Sequence, residues 1–437
     1  MSALARYFKS KGAAVSGYDK TETLLTDQLT KEGIEVHYED NIQLLDKETD
    51  LVVYTPAVPK EHLELNYFRV HNYQVVKRSE VLGEITEGSF NICIAGTHGK
   101  TTISSMIAHT LRHSGYGCNA FLGGIAVNYD SNFWSNERNL CVVEADEYDR
   151  SFLKLSPDVA IISSMDSDHL DIYGTAENME QAFIEFAGRT KQGGVLLSKW
   201  GLRRNADLKA SRHITYHIND EKADVFTSSI RTKNGSYLFD ISVKDRQIKD
   251  MVLNMGGTHN IENALAAITV ADLLGIEEDK IRKAVAGFRG VKRRFEYIIR
   301  KKRQVYIDDY AHHPEELRAL ISGAKMLFAG KKCTVIFQPH LYSRTRDLAE
   351  GFSKSLDLAD AVILLPVYPA RELPIEGVSS EMILSKMINT QKCIKTKEEL
   401  PGWIKEHKTE LVITAGAGDI DQLVEPIKII LETAIEK

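Results

Sequence analysis

Phe90-Asn91-Ile92-Cys93-Ile94-Ala95-Gly96-Thr97-His98-Gly99-Lys100-Thr101-Thr102 is the stretch that decides the fold. Its first six residues form a short apolar run, which reads as a buried strand. Two glycines and a Lys-Thr pair follow, and residues 102–114 read as a helix. Strand, glycine turn and helix N-terminus in this order make a phosphate-binding loop. The glycines let backbone N–H groups approach phosphate oxygens, and the helix start adds partial positive charge. Lys100 would reach the β- and γ-phosphates, and the Thr101 hydroxyl would face Mg²⁺. The spacing is G-x-x-G-K-T, two residues shorter than the common loop, because position 94 is Ile rather than Gly.

Around this loop, short apolar runs alternate with helical stretches. That pattern predicts an α/β protein with parallel sheets. Strands are expected at 140–143, 160–164 and 194–198, a polar β-rich stretch at 225–243, and a helix from about Asn260. A first block, 1–86, opens in a helix over 2–10 and carries strands at 14–18 and 50–54. It reads as Rossmann-like, although its first strand and glycine loop do not precede the helix. A third block, 292–437, has strands at 304–307, 334–337, 361–365 and 411–414, again Rossmann-like. The junction Lys292-Arg293-Arg294 is expected to be a hinge. The 437 residues are enough for three such domains, and composition is ordinary, 43% hydrophobic and 27% charged. A net charge of −6 argues against a dedicated nucleic-acid binder. The five cysteines form no C-x-x-C pair and read as free thiols of a reducing compartment. With no apolar run of about 20 residues and no signal-peptide pattern at Met1, the expected location is the cytoplasm.

Two strands of the middle block end in acids: Glu144-Ala145-Asp146-Glu147 and Asp166-Ser167-Asp168-His169. Strand tips of an open parallel sheet share one edge with the phosphate loop, so these groups are placed to hold Mg²⁺. Any single Asp there can equally cap a turn. In the third block, Asp308-Asp309-Tyr310-Ala311-His312-His313-Pro314 is a strand end leading into a helix with Pro at its start. Gln338-Pro339-His340-Leu341 precedes Arg344 and Arg346, which suit a carboxylate or phosphate but also serve as plain surface charges. Ala415-Gly416-Ala417-Gly418 is a glycine turn with no stronger signal.

Taken together these motifs, with His259-Asn260-Ile261-Glu262-Asn263 and Arg293-Arg294-Phe295-Glu296, resemble the Mur ligase family over essentially the whole chain. The likeness is to its branch that adds L-alanine to UDP-N-acetylmuramate in peptidoglycan synthesis. It implies a UDP-sugar domain (1–86), an ATP-binding domain (87–291) and an amino-acid domain (292–437). It implies that Gly96, Thr97, His98, Gly99, Lys100, Thr101, Thr102, Asn260, Asn263, Arg294 and Asp309 bind ATP. Thr101, Glu144 and His169 would hold Mg²⁺, and Lys100, His312 and Arg344 would serve the chemistry, the last two meeting the amino acid. The protein would be a monomer or weak dimer.

Three departures from the family pattern stand out. The family's N-terminal G-x-G-G-x-G loop is expected upstream of Met1, so a form impaired in sugar-nucleotide binding is one alternative. No lysine occurs in Ala182-Phe183-Ile184-Glu185, where some sister ligases carry a carbamylated one. Leu341 stands where some relatives have Arg, so a carboxylate contact is expected to be lost or replaced. A rival branch attaches a ready-made tripeptide to the same sugar nucleotide. The absence of a long insertion around Asp149-Arg150-Ser151-Phe152 favours the alanine branch.

Overall fold

A computed structural model describes residues 1–437 other than 167–169, 245, 371 and 436–437. In the first block, β1 (Ser16–Tyr18) runs parallel to β2 (Glu35–His37), and β3 (Val52–Tyr54) runs parallel to β4 (Val75–Lys77), as two separate pairs. Helices Ser2–Ser10, Leu24–Lys31, Leu63–Val70 and Arg78–Thr86 surround them. The helix Leu63–Val70 starts under a concentrated set of caps. Asp40 accepts from the N–H groups of Leu63 and Glu64, and His62 Nδ1 accepts from that of Leu65. Glu64 in turn takes His37 Nε2 at 2.8 Å and the Asn41 N–H. These side chains serve the orphan donors of a helix start. The first helix is tied to the middle block through Arg6, whose guanidinium bonds Glu32 and, at 2.6 Å, Asn132.

The middle block is one ten-stranded sheet. Its strands are β5 (Phe90–Ala95), β6 (Asn119–Ala126), β7 (Ser131–Trp134), β8 (Leu140–Glu144), β9 (Val159–Ile162), β10 (Val195–Lys199), β11 (Arg212–His217), β12 (Val225–Lys233), β13 (Ser236–Val243) and β14 (Arg246–Leu253). Their order is β14-β13-β12-β11-β10-β9-β5-β8-β6-β7. From β6 to β12 all neighbours are parallel, and antiparallel pairs close both edges. Side chains alternate faces along a strand. Ile92 and Ile94 of β5 therefore enter the core with helices Lys100–His113 and His259–Leu273. Cys93 and Ala95 enter the opposite core with helix Ala176–Gly188 and helices of the first block. Burial on both faces is why β5, β8 and β9 read as unbroken apolar runs rather than alternating ones.

The third block is a six-stranded sheet of β15 (Glu296–Arg300), β16 (Val305–Asp309), β17 (Cys333–Phe337), β18 (Ala361–Leu364), β19 (Lys392–Ile394) and β20 (Leu411–Ala415), ordered β15-β16-β20-β17-β18-β19 with only β15 antiparallel. The junction differs from a free hinge. Val291 pairs antiparallel with Ala126, and the flanking backbone bonds Ile125 and Val127. The Phe295 ring then lies so close to Gly256 that a Cβ there would sit 2.0 Å from it. The strands at 14–18 and 50–54 and the helix at 102–114 are all present with shifted ends, as Ser16–Tyr18, Val52–Tyr54 and Lys100–His113. All five cysteines are unbridged. Among the described residues no helix is long and apolar enough to cross a membrane.

Candidate active site

Because β5 lies between β9 and β8, the turn that leaves it is flanked by the carboxyl ends of both. On the β9 side, Ser164 Oγ accepts the His98 N–H at 2.7 Å and pairs with Thr97 Oγ1 at 2.8 Å. Ser163 Oγ donates to the carbonyls of Ala95 and His98. These bonds bring the strand so near that a Cβ on Gly96, whose φ is +135°, would lie 2.2 Å from Ser163 Oγ. Gly99, at φ +85°, also packs tightly, on Asn263, with 2.8 Å from a Cβ to Oδ1. Only glycine fits either position.

On the β8 side, Glu144 accepts the Thr101 hydroxyl at 2.9 Å and the Gly123 N–H at 2.8 Å. Burial raises its pKa, against the pull of nearby Lys100 and these two bonds. Lys100 Nζ donates to the Gly96 carbonyl and to Glu147, both at 2.7 Å. Thr102 is buried under the loop. His98 is exposed, facing Asp166 at 3.8 Å. His169 lies outside the described residues.

A second group approaches from helix His259–Leu273. Asn260 Nδ2 donates to the Gly256 carbonyl and Asn263 Nδ2 to Asn260 Oδ1, which aims Asn263 at the loop. In the third block, Asp309 accepts the N–H groups of Phe295 and Ala311, and burial pushes its pKa to about 6. The exposed Arg294 guanidinium lies 5.7 Å from the Tyr310 ring, and Arg293 lies 5.1 Å from it.

His312 and Arg344 do converge. His312 Nδ1 is 2.9 Å from the Tyr310 carbonyl, and its ring is 6.3 Å from that of His340. Arg344 Nη1 is 3.4 Å from His340 Nδ1. Burial lowers the pKa of both His312 and Arg344, with Glu316 pulling each the other way. Leu341 begins the Arg344 helix with φ +69° and ψ 135°, a conformation rare for a β-carbon residue. Its N–H bonds the Tyr368 carbonyl, which pins the strained start of the helix. Arg346 pairs instead with exposed Asp347. The glycine turn at 416–418 approaches Gln338, where a Cβ on Gly416 would meet the carbonyl at 2.7 Å, so packing accounts for it.

Ser163, Ser164 and Glu316 were not singled out as site residues by sequence, and Glu147 was read only as one of the acids at the β8 tip. Glu316 accepts the N–H groups of His312 and His313 and so fixes the histidine turn. Its signal was the acid in the first turn of a helix beginning at Pro314. Arg293, read only as part of the junction and a family motif, is a second structural tie. It donates to the Gly416 carbonyl and lies 3.4 Å from Asp308, whose pKa burial pushes to about 7.

Residues 1–89 match the model of the Mur ligase family catalytic domain, 94–271 that of the Mur ligase middle domain, and 293–418 that of the Mur ligase glutamate ligase domain. The UDP-N-acetylmuramate–L-alanine ligase of Parabacteroides distasonis is 49% identical, with 100% of this chain and 96% of that protein covered. The Flavobacterium johnsoniae protein of the same name is 46% identical over the same shares. A solved UDP-N-acetylmuramate-alanine ligase from Thermotoga maritima superposes with a TM-score of 0.84 at 28% identity, covering 100% of this chain and 96% of that one. The chain belongs to the Mur ligase family.

Proposed function

We propose that the protein is an ATP-dependent ligase that joins L-alanine to the carboxylate of UDP-N-acetylmuramate, a step of peptidoglycan synthesis carried out in the cytoplasm. The observation that carries this reading is the loop at 96–101, held between Ser163–Ser164 and Glu144 in a chain nearly half identical to ligases of that name. In this reading residues 1–86 take the sugar nucleotide, 87–291 take ATP and 292–437 take the amino acid.

A carboxylate is a poor acyl donor. Its oxygen attacks the γ-phosphorus of ATP, ADP leaves, and the resulting acyl phosphate carries a good leaving group. The amine of L-alanine then attacks the carbonyl carbon, and the C–O bond to phosphate breaks. No protein nucleophile is required, so the enzyme acts by alignment and charge. The loop N–H groups and Lys100 offset the phosphate charge, while Asn260, Asn263, Arg294 and Asp309 hold the rest of ATP. The Thr101 hydroxyl and Glu144 carboxylate, 2.9 Å apart, form an all-oxygen donor pair that suits a hard cation such as Mg²⁺. His169, by its motif, would complete that set. Bound there, Mg²⁺ would neutralise charge on the transferring phosphoryl group. Arg344 would pair with the L-alanine carboxylate. His312, kept neutral by burial, would accept the proton shed by the attacking amine.

Phosphate release tests this reading with ATP, UDP-N-acetylmuramate and either L-alanine or a tripeptide as acceptor. Release is expected with L-alanine. Turnover with tripeptide alone would assign the protein to the recycling branch instead.

A further inference from the structure

We propose that Glu147 is a positioning residue that competes with the triphosphate for the Lys100 ammonium. It would draw the lysine off the phosphates and so set how readily ADP leaves. The proposal rests on the ATP-binding reading of the loop.

The geometry is specific. Lys100 Nζ donates to Oε1 of Glu147 and to the Gly96 carbonyl, both at 2.7 Å, and lies 2.7 Å from Oε2, which takes no hydrogen bond. An ammonium has three donors. The loop carbonyl and the Glu147 carboxylate therefore occupy two of them. The Glu147 side chain is only 1% exposed and that of Lys100 14%, so water screens the pair little. For the same ammonium to meet a β- and a γ-phosphate oxygen together, one of these two bonds must be given up, and every step of the lysine toward the phosphates is a step out of the close ion pair with Glu147.

Glu147 is poorly placed to follow. Its carbonyl accepts the Tyr173 hydroxyl at 2.6 Å and the Arg150 N–H at 3.0 Å. Asp146 fixes the preceding position by accepting the N–H groups of Tyr148 and Phe152. The next turn holds Asp149 and Arg150 at φ +53° and +55°, both non-glycine residues in the left-handed region. Lys77 of the first block grips Asp149 at 3.0 Å. Such a turn persists because its surroundings determine it. The lysine therefore moves and the carboxylate stays.

Glu144, three residues earlier, is committed elsewhere, to Thr101 and Gly123. The two glutamates of one turn thus divide the work. One faces the hydroxyl at the helix start, and the other faces the ammonium. A fixed negative charge beside Lys100 opposes a polyanion at the same site, so it weakens nucleotide binding and hastens product departure.

Isothermal titration of Mg·ADP against wild type and Glu147→Gln tests this, alongside steady-state kinetics. The variant is expected to bind ADP ~10-fold more tightly. Its KM for ATP and its kcat should fall together, because slower ADP release becomes limiting. Disruption of the loop would instead raise KM. Glu147→Met, neutral and similar in length, should show the same tightening and stands in if the amide variant misfolds. Unchanged or weaker ADP binding in the folded variants, beside normal wild-type binding, overturns the proposal alone. No ADP binding by wild type would overturn the ATP reading and the proposal with it.

Discussion

In Lys100→Met, L-alanine-dependent phosphate release is expected to fall by ~10³-fold or more, the scale of losing a charge aimed at the transition state. Lys100 is the only cation bonded within the loop, through Gly96, among the described contacts. The substitution also strips Glu147 of its partner in a site 1% exposed. Leaving a buried charge unpaired costs about 3–5 kcal/mol, and the carboxyl escapes that cost by taking a proton. Burial already raises the Glu147 pKa, and Lys100 is what opposes it. Without the lysine the folded-state pKa rises further above its unfolded value. The folded state then holds a proton that the unfolded state releases, so stability falls as pH rises through that range. Urea unfolding of Lys100→Met should therefore show a lower midpoint at pH 8 than at pH 5. The double variant Lys100→Met/Glu147→Gln should recover the midpoint at pH 8 and remain inactive. Recovery of activity would mean that the lysine is structural.

Glu144→Gln is the second large effect. It keeps an oxygen that can accept either the Thr101 hydroxyl or the Gly123 N–H, but removes the charge. Because burial opposes ionisation of Glu144, the neutral amide is tolerated by the fold, and thermal unfolding should shift little. Ligation should nonetheless drop by ~10²–10³-fold, with saturation requiring far more Mg²⁺. Equal Mg²⁺ dependence in wild type and variant would remove Glu144 from the metal site.

The strand–loop–helix around Gly96 was legible because one local segment carries all its signals: a buried run, two glycines and a Lys-Thr pair. The carboxyl-edge placement of Glu144 followed from the sheet rule alone. What joins them was not legible. Ser163 and Ser164 support the loop because β9 is the neighbour of β5, and strand order is set by packing that no local stretch encodes. The grip of Glu147 on Lys100 depends on a left-handed turn at Asp149 and Arg150, residues with no glycine to announce it. In the first block, β2, β4 and helices Leu24–Lys31, Leu63–Val70 and Arg78–Thr86 went unread. Each of the two strands has only three residues, too few for a period to register. The junction was read as a hinge from its place between two blocks, whereas Val291 is stitched to Ala126 by backbone pairing, a contact any side chains can make. His312 and Arg344 were each visible beside a strand end. Their convergence through Glu316 and His340 needed the fold.

The central claim is that ATP is spent to make an acyl phosphate of the sugar-nucleotide carboxylate. Oxygen-isotope transfer tests it most directly. With both carboxylate oxygens of UDP-N-acetylmuramate labelled as ¹⁸O, one label should appear in the released phosphate for each amide formed, and the other should remain in the amide carbonyl. Phosphate released without label while the alanine amide accumulates would contradict the account.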